Sequence, residues 1–86
     1  MYQTLFSSRA QRAFQDLPQR DAEYVRDAIL KLQENPRAHG TIKLAQAPVA
    51  QYRYRVGNYR LLFDLDDDNQ VIELVDVRKR DERTYR

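Results

Sequence analysis

Residues 52–63 read YRYRVGNYRLLF, and how this stretch folds decides the rest of the chain. Gly57-Asn58 suits a two-residue hairpin loop between two strands. In such a hairpin Val56 lies opposite Tyr59, Arg55 opposite Arg60, Tyr54 opposite Leu61, Arg53 opposite Leu62 and Tyr52 opposite Phe63. Opposed residues share a face and neighbours along a strand alternate. Arg53, Arg55 and Arg60 therefore fall on one side, and Tyr52, Tyr54, Val56, Tyr59, Leu61 and Phe63 on the other. Burying a Phe or Leu contributes about 1.5–3 kcal/mol, whereas burying unpaired guanidinium groups costs far more. The aromatic side should meet the core and the arginines should face outward. Arg55 directly across from Arg60 is an unfavourable like-charge pair, which calls for a bound anion or for neutralisation by Asp64 or Glu73.

Working outward, the flanking segments supply what covers the aromatic side. Residues Tyr2 to Phe6 form a short β-prone run, and Ser7 or Ser8 can cap a following helix. Ala10, Ala13, Phe14 and Leu17 repeat at i, i+3, i+4, i+7 over Arg9 to Leu17, one face of a helix that Pro18 interrupts. Ala22, Val25, Ala28, Ile29 and Leu32 repeat the spacing over Gln19 to Glu34, and Asn35-Pro36 ends that second helix. Beyond Gly40 the chain alternates or runs apolar at Ile42 to Leu44, Gln51 to Val56, Tyr59 to Leu65 and Val71 to Val77, with a polar loop over Asp66 to Gln70. The expected fold is α+β over residues 1–86 as one domain, with an N-terminal strand and a two-helix hairpin packed on an antiparallel four- to five-stranded sheet. In the last strand the phase stays open by one residue, because either Ile72 and Leu74 or Val71 and Val75 satisfy an inward face.

Composition narrows the function. Apolar residues make up 42% of the chain and charged residues 33%, the balance of a folded domain rather than a disordered tail. Cysteine is absent, which excludes disulfides, thiolate metal sites and cysteine nucleophiles and makes a cytoplasmic location the natural expectation. No window approaches the roughly 20 apolar residues that span a bilayer. Twelve of the fifteen basic residues are arginine, and arginine's planar fork matches phosphate and carboxylate geometry, so an anionic partner is expected. The final segment, DVRKRDERTYR, adds Arg78, Lys79, Arg80 and Arg83, with Tyr85 behind them. If its strand pairs with the one carrying Arg60, Arg80 and Tyr85 come near the outer arginine face, where guanidinium groups bind phosphate and a ring stacks on a base. Arg60 and Arg80 are then expected to be exposed. The lone His39 falls in the link after the second helix, where a histidine is more often solvated than catalytic. No cofactor or metal is called for.

The element order, with LAQAPVAQYRYRVGNYRLLF in the middle and DVRKRDERTY at the end, resembles the RelE/ParE superfamily of bacterial and archaeal toxins from toxin-antitoxin pairs. Its most specific piece is the Y-R-x-R-x-G-x-Y-R hairpin, supported by the L-x-x-x-P ending of the second helix at Leu32 to Pro36. The RelE branch, the mRNA interferases, implies a type II toxin that cuts mRNA in the ribosomal A site by 2′-hydroxyl attack on the adjacent phosphate. Carried over by position, the resemblance implies phosphate stabilisation by Arg60 and Arg80. It makes Tyr85 a stacking or proton-transfer group, and Arg53, Arg55, Arg78, Lys79 and Arg83 further RNA contacts. In the best-known RelE enzyme the central basic pair is lysine. Arginine keeps its proton, so Arg53 and Arg55 act electrostatically and the proton goes to Tyr85, water or the ribosome.

The same resemblance admits two other readings: a ParE-like inhibitor of DNA gyrase, and an inactive module that only binds antitoxin. It implies an acidic antitoxin as partner and an oligomer formed with it, beside the ribosome and mRNA.

Overall fold

A computed structural model describes residues 1–38, 40–44 and 49–79. Its elements run β1 (Gln3–Phe6), α1 (Ser8–Gln15), α2 (Gln19–Glu34), β2 (Thr41–Lys43), β3 (Tyr52–Val56), β4 (Tyr59–Asp66) and β5 (Val71–Lys79). The expected α+β architecture is present, and local chemistry explains most boundaries. Ser7 caps α1 by accepting the Ala10 N–H on Oγ at 3.0 Å. The helix ends at Gln15, two residues earlier than the apolar spacing indicates, because the chain must turn before Pro18. Pro18 then accepts the Ala22 N–H through its carbonyl and opens α2. Asn35, in extended geometry, closes α2.

Five strands form one sheet in the order β1-β5-β4-β3-β2. The four later strands are consecutive and antiparallel, as their short connections require. The first strand adds at the edge of β5 and runs parallel to it, with Gln3 opposite Val71 and Phe6 opposite Leu74, which makes the sheet mixed. That pairing joins the two ends of the described chain. Its connection is the helical hairpin and the β2–β4 meander together, the long crossover a parallel pair needs.

The β3–β4 register agrees with the hairpin expected from Gly57-Asn58, from Val56 opposite Tyr59 to Tyr52 opposite Phe63. Gly57 adopts φ +55, the left-handed geometry at the first loop position of a type II′ turn, where a side chain is disfavoured. The inner sheet face packs under the helices: Leu61 and Phe63 from β4 and Ile72, Leu74 and Val77 from β5 meet Ala10, Val25, Ala28, Ile29 and Leu32. Tyr52 stacks on Phe63 with ring centroids 5.6 Å apart. Each large apolar side chain sealed here contributes about 1.5–3 kcal/mol, so the hairpin's aromatic side is the floor of the core.

Candidate functional site: an arginine row on the outer sheet face

Strand alternation leaves the opposite sheet face to the arginines. Arg55 pairs with Arg60 across β3–β4, and Arg60 pairs with Arg78 across β4–β5. Three guanidinium-bearing residues thus stand in one row across three strands at the hairpin end of the sheet. A second row beside it holds Ile42, Arg53, Leu62 and Asp76. Arg55 and Arg78 are exposed, whereas Arg53 and Arg60 are half-buried. Arg60 is therefore less open than its outward position alone implies.

Neither of the carboxylates expected to neutralise the row does so. Asp64 lies on the outer face of β4 four residues from Arg60, a separation of roughly 13 Å along a strand. It accepts the Gln51 N–H at 2.7 Å instead. Glu73 lies opposite Asp64 and shares its distance from the row. Among the described residues, Arg53 and Arg55 form no ion pair or side-chain hydrogen bond. Arg78 pairs with a described carboxylate, donating from Nε to Asp76 Oδ2 at 2.9 Å.

Asp76 was not singled out by sequence reading, and neither was the irregularity that places it. Between Leu62 and Phe63 the β4–β5 register shifts: Leu62 faces Asp76 but Phe63 faces Leu74. Val75 is the extra residue of a β-bulge. Below the bulge Ile72 and Leu74 point inward, and above it Val77 does, so the open phase of this strand resolves both ways along its length. A signal existed in the sequence, since Leu74 and Val75 are adjacent apolar residues where strict alternation demands a polar one.

The remaining expected site residues divide. Lys79 lies opposite Tyr59, whose side chain is on the inner face. It lines a cavity of about 410 Å³ with Asp21, Tyr24, Val56 and Asn58, on the helix side and away from the arginines. In that cavity Tyr59 donates its hydroxyl to Asp21 Oδ2 at 2.6 Å, and this bond raises the phenol's pKa above the usual tyrosine value. His39, Arg80, Arg83 and Tyr85 lie outside the described residues.

At the far end of the sheet one more arginine is used differently. Arg37 grips Asp67 with two hydrogen bonds of 3.0 and 2.9 Å. It also donates to the Tyr52 hydroxyl at 3.2 Å and lies 5.5 Å from that ring's centroid. Tyr2 adds its hydroxyl to Asp67 at 2.6 Å. The arginine forks, and then Tyr2, hold the Asp67 carboxyl down at about 2. Among the described residues no group of three or more His, Cys, Asp or Glu is placed to hold a metal ion, and no helix is long and apolar enough to cross a membrane.

The family described as "ParE toxin of type II toxin-antitoxin system, parDE" matches residues 4–84. No curated protein matches the chain. Among solved structures, the RelBE2 toxin-antitoxin complex of Mycobacterium tuberculosis contains a chain 26% identical, with a TM-score of 0.81 over 92% of this chain and 98% of that one. The isolated RelE toxin of E. coli is 24% identical, with a TM-score of 0.81 over 99% of this chain and 92% of that one. A chain of the archaeal RelE–RelB complex of Pyrococcus horikoshii OT3 is 22% identical, with a TM-score of 0.79 over 94% and 97%. These last two likenesses are likenesses of fold.

Proposed function

This chain belongs to the ParE toxin family of type II toxin-antitoxin systems, within the RelE/ParE superfamily, and from that premise we propose that it stops translation by cutting mRNA on the ribosome. The observation that supports this reading is the row Arg55, Arg60 and Arg78 across three strands, with Arg53 in the next row; Arg53 and Arg55 have no ion pair or side-chain hydrogen bond among the described residues. Like charges in register repel, and a phosphodiester laid across the row relieves that repulsion while being held by it.

In the proposed reaction the ribose 2′-oxygen attacks the adjacent phosphorus. A P–O2′ bond forms and the P–O5′ bond breaks, giving a 2′,3′-cyclic phosphate on one fragment and a 5′-hydroxyl on the other; attack of water on the cyclic phosphorus, with P–O2′ broken, then leaves a 3′-phosphate. Negative charge grows on the phosphoryl oxygens as the attack proceeds, and fixed guanidinium groups stabilise it without reorganising. Arg60 sits at the centre of the row and takes the phosphate, with Arg55, Arg78 and Arg53 around it. Arginine gives up no proton at neutral pH, so the 2′-proton passes to Tyr85, water or a ribosomal group, and the leaving 5′-oxygen gains one. Arg80, as a second phosphate-stabilising group, and Arg83, as a further RNA contact, complete the proposed set and lie outside the described residues.

The partner proposed for this toxin is an acidic antitoxin, since solved relatives are toxin-antitoxin complexes and carboxylates on such a partner compete with phosphate for the row. A second reading, inhibition of DNA gyrase, has the family match in its favour. Purified protein added to ribosomes programmed with a defined mRNA, followed by mapping of new 5′ ends, separates the two. Cuts at the A-site codon are expected. Intact mRNA together with blocked supercoiling by gyrase establishes the second reading instead.

A further inference from the structure

We propose that Asp76 is the positioning residue of the arginine row: from the bulge in β5 it fixes the Arg78 guanidinium in the direction from which it meets a phosphate. The inference rests on the mRNA-cleaving reading for its consequence, and on geometry alone for its cause. Without the extra residue Val75, strict alternation from Ile72 and Leu74 would turn residues 76 and 78 toward the helices. The bulge reverses the phase, so Val77 enters the core and Arg78 comes to stand opposite Arg60. Re-aiming a side chain beside a functional surface is a recurrent use of bulges.

Two residues hold this bulge. Ser7 donates its hydroxyl to the Val75 carbonyl at 2.6 Å and its N–H to the Leu74 carbonyl at 2.9 Å. Asp76 accepts the Val77 N–H on Oδ1 at 2.8 Å and the Arg78 Nε–H on Oδ2 at 2.9 Å. One carboxylate thus ties the irregular backbone to the guanidinium.

The burial of the pair gives each member its role. The Asp76 side chain is 9% exposed and that of Arg78 is 49% exposed. Asp76 is closed to substrate, with each oxygen engaged, so it acts only through Arg78. Pairing through Nε spends one of arginine's five donors and leaves both terminal amino groups for a bidentate grip on phosphate. A buried anion next to Arg78 also offsets the repulsion between Arg78 and Arg60.

Asp76→Asn is the informative variant, because the amide oxygen still accepts the Val77 N–H while its nitrogen cannot accept from Arg78. We expect the thermal midpoint to stay close to wild type, the Arg78 Nε–H to lose its slow exchange in side-chain NMR spectra, and kcat for ribosomal cleavage to fall more than KM rises. The expected loss is about tenfold to a hundredfold, the scale of a misplaced catalytic contact. In an Arg78→Ala background Asp76→Asn should cost nothing further. Arg78→Lys, which keeps the charge but lacks Nε, should imitate Asp76→Asn.

Wild-type cleavage by Asp76→Asn, or losses that multiply in the double variant, overturn the proposal. Should Asp76→Asn not fold, fast exchange of the Arg78 Nε–H in the wild-type protein overturns it equally well. If the wild-type protein leaves mRNA intact, the cleavage reading has failed, and the NMR arm still decides whether Asp76 holds Arg78.

Discussion

The two ends of the sheet surround the same residue type with different partners. At the far end Arg37 is engaged: a carboxylate takes both ends of its fork, a phenol accepts another bond, and a ring lies against its face. At the hairpin end Arg53 and Arg55 engage no described side chain. Arginine so engaged is a clasp, here joining the connection after α2 to β3 and to the β4–β5 loop. Arginine set in register with like charges is the surface to which the proposed function assigns the phosphate.

The largest effect comes from breaking the floor that both ends share. Phe63→Ala removes a fully buried ring stacked on Tyr52 and should cost about 3–5 kcal/mol, a large part of the roughly 5–15 kcal/mol typical of a domain. Denaturant unfolding measures it, and both ends should fail together. Next in size, Arg60→Ala should lower cleavage by about 10²–10³-fold, the loss seen when one donor to a developing oxyanion is removed. Its circular dichroism should remain that of the wild type. Loss of the folded signal would mean that Arg60, half-buried as it is, serves the fold.

Smaller effects sharpen the contrast. Gly57→Ala meets no neighbouring atom but must hold φ +55, so it should cost about 1–2 kcal/mol of backbone strain and loosen the hairpin end without touching Arg37. At the far end the prediction concerns pH. The Asp67 carboxyl is lowered to about 2 by Arg37 first and Tyr2 second, against roughly 3.9 when unfolded. A depressed carboxyl stabilises the fold above its unfolded value and loses that contribution as pH falls through its folded one. Thermal midpoints should therefore drop between about pH 4 and pH 2. Asp67→Asn should flatten part of that fall, the rest coming from Asp66, which Asn69 also lowers. Cleavage at neutral pH should be unchanged in this variant.

Much of this contrast is legible in the amino-acid sequence. Alternation and the Gly57-Asn58 turn determine the β3–β4 register to the residue, because a half-buried hairpin tolerates no slip. The helices follow from their apolar spacing for a similar reason. Three features were not legible, each because it joins residues distant in sequence or breaks a period. The parallel pairing of β1 with β5 depends on the path of the whole chain. The Arg37–Asp67–Tyr52–Tyr2 clasp links four segments with no local pattern among them. The bulge at Val75 interrupts the alternation on which the reading of β5 relied, and with it went Asp76. The arginine-bearing face is therefore legible in outline, while Asp76, which pairs with Arg78, is hidden by a single extra amino acid.

The most direct test of the account sets Arg55→Ala beside Arg37→Ala in one experiment, measuring ribosomal mRNA cleavage and thermal midpoint for both. Arg55→Ala should lose most of its cleavage and keep its midpoint, and Arg37→Ala should keep its cleavage and melt earlier. The reverse pattern, or equal losses of cleavage in the two variants, would contradict the assignment of function to the arginine row.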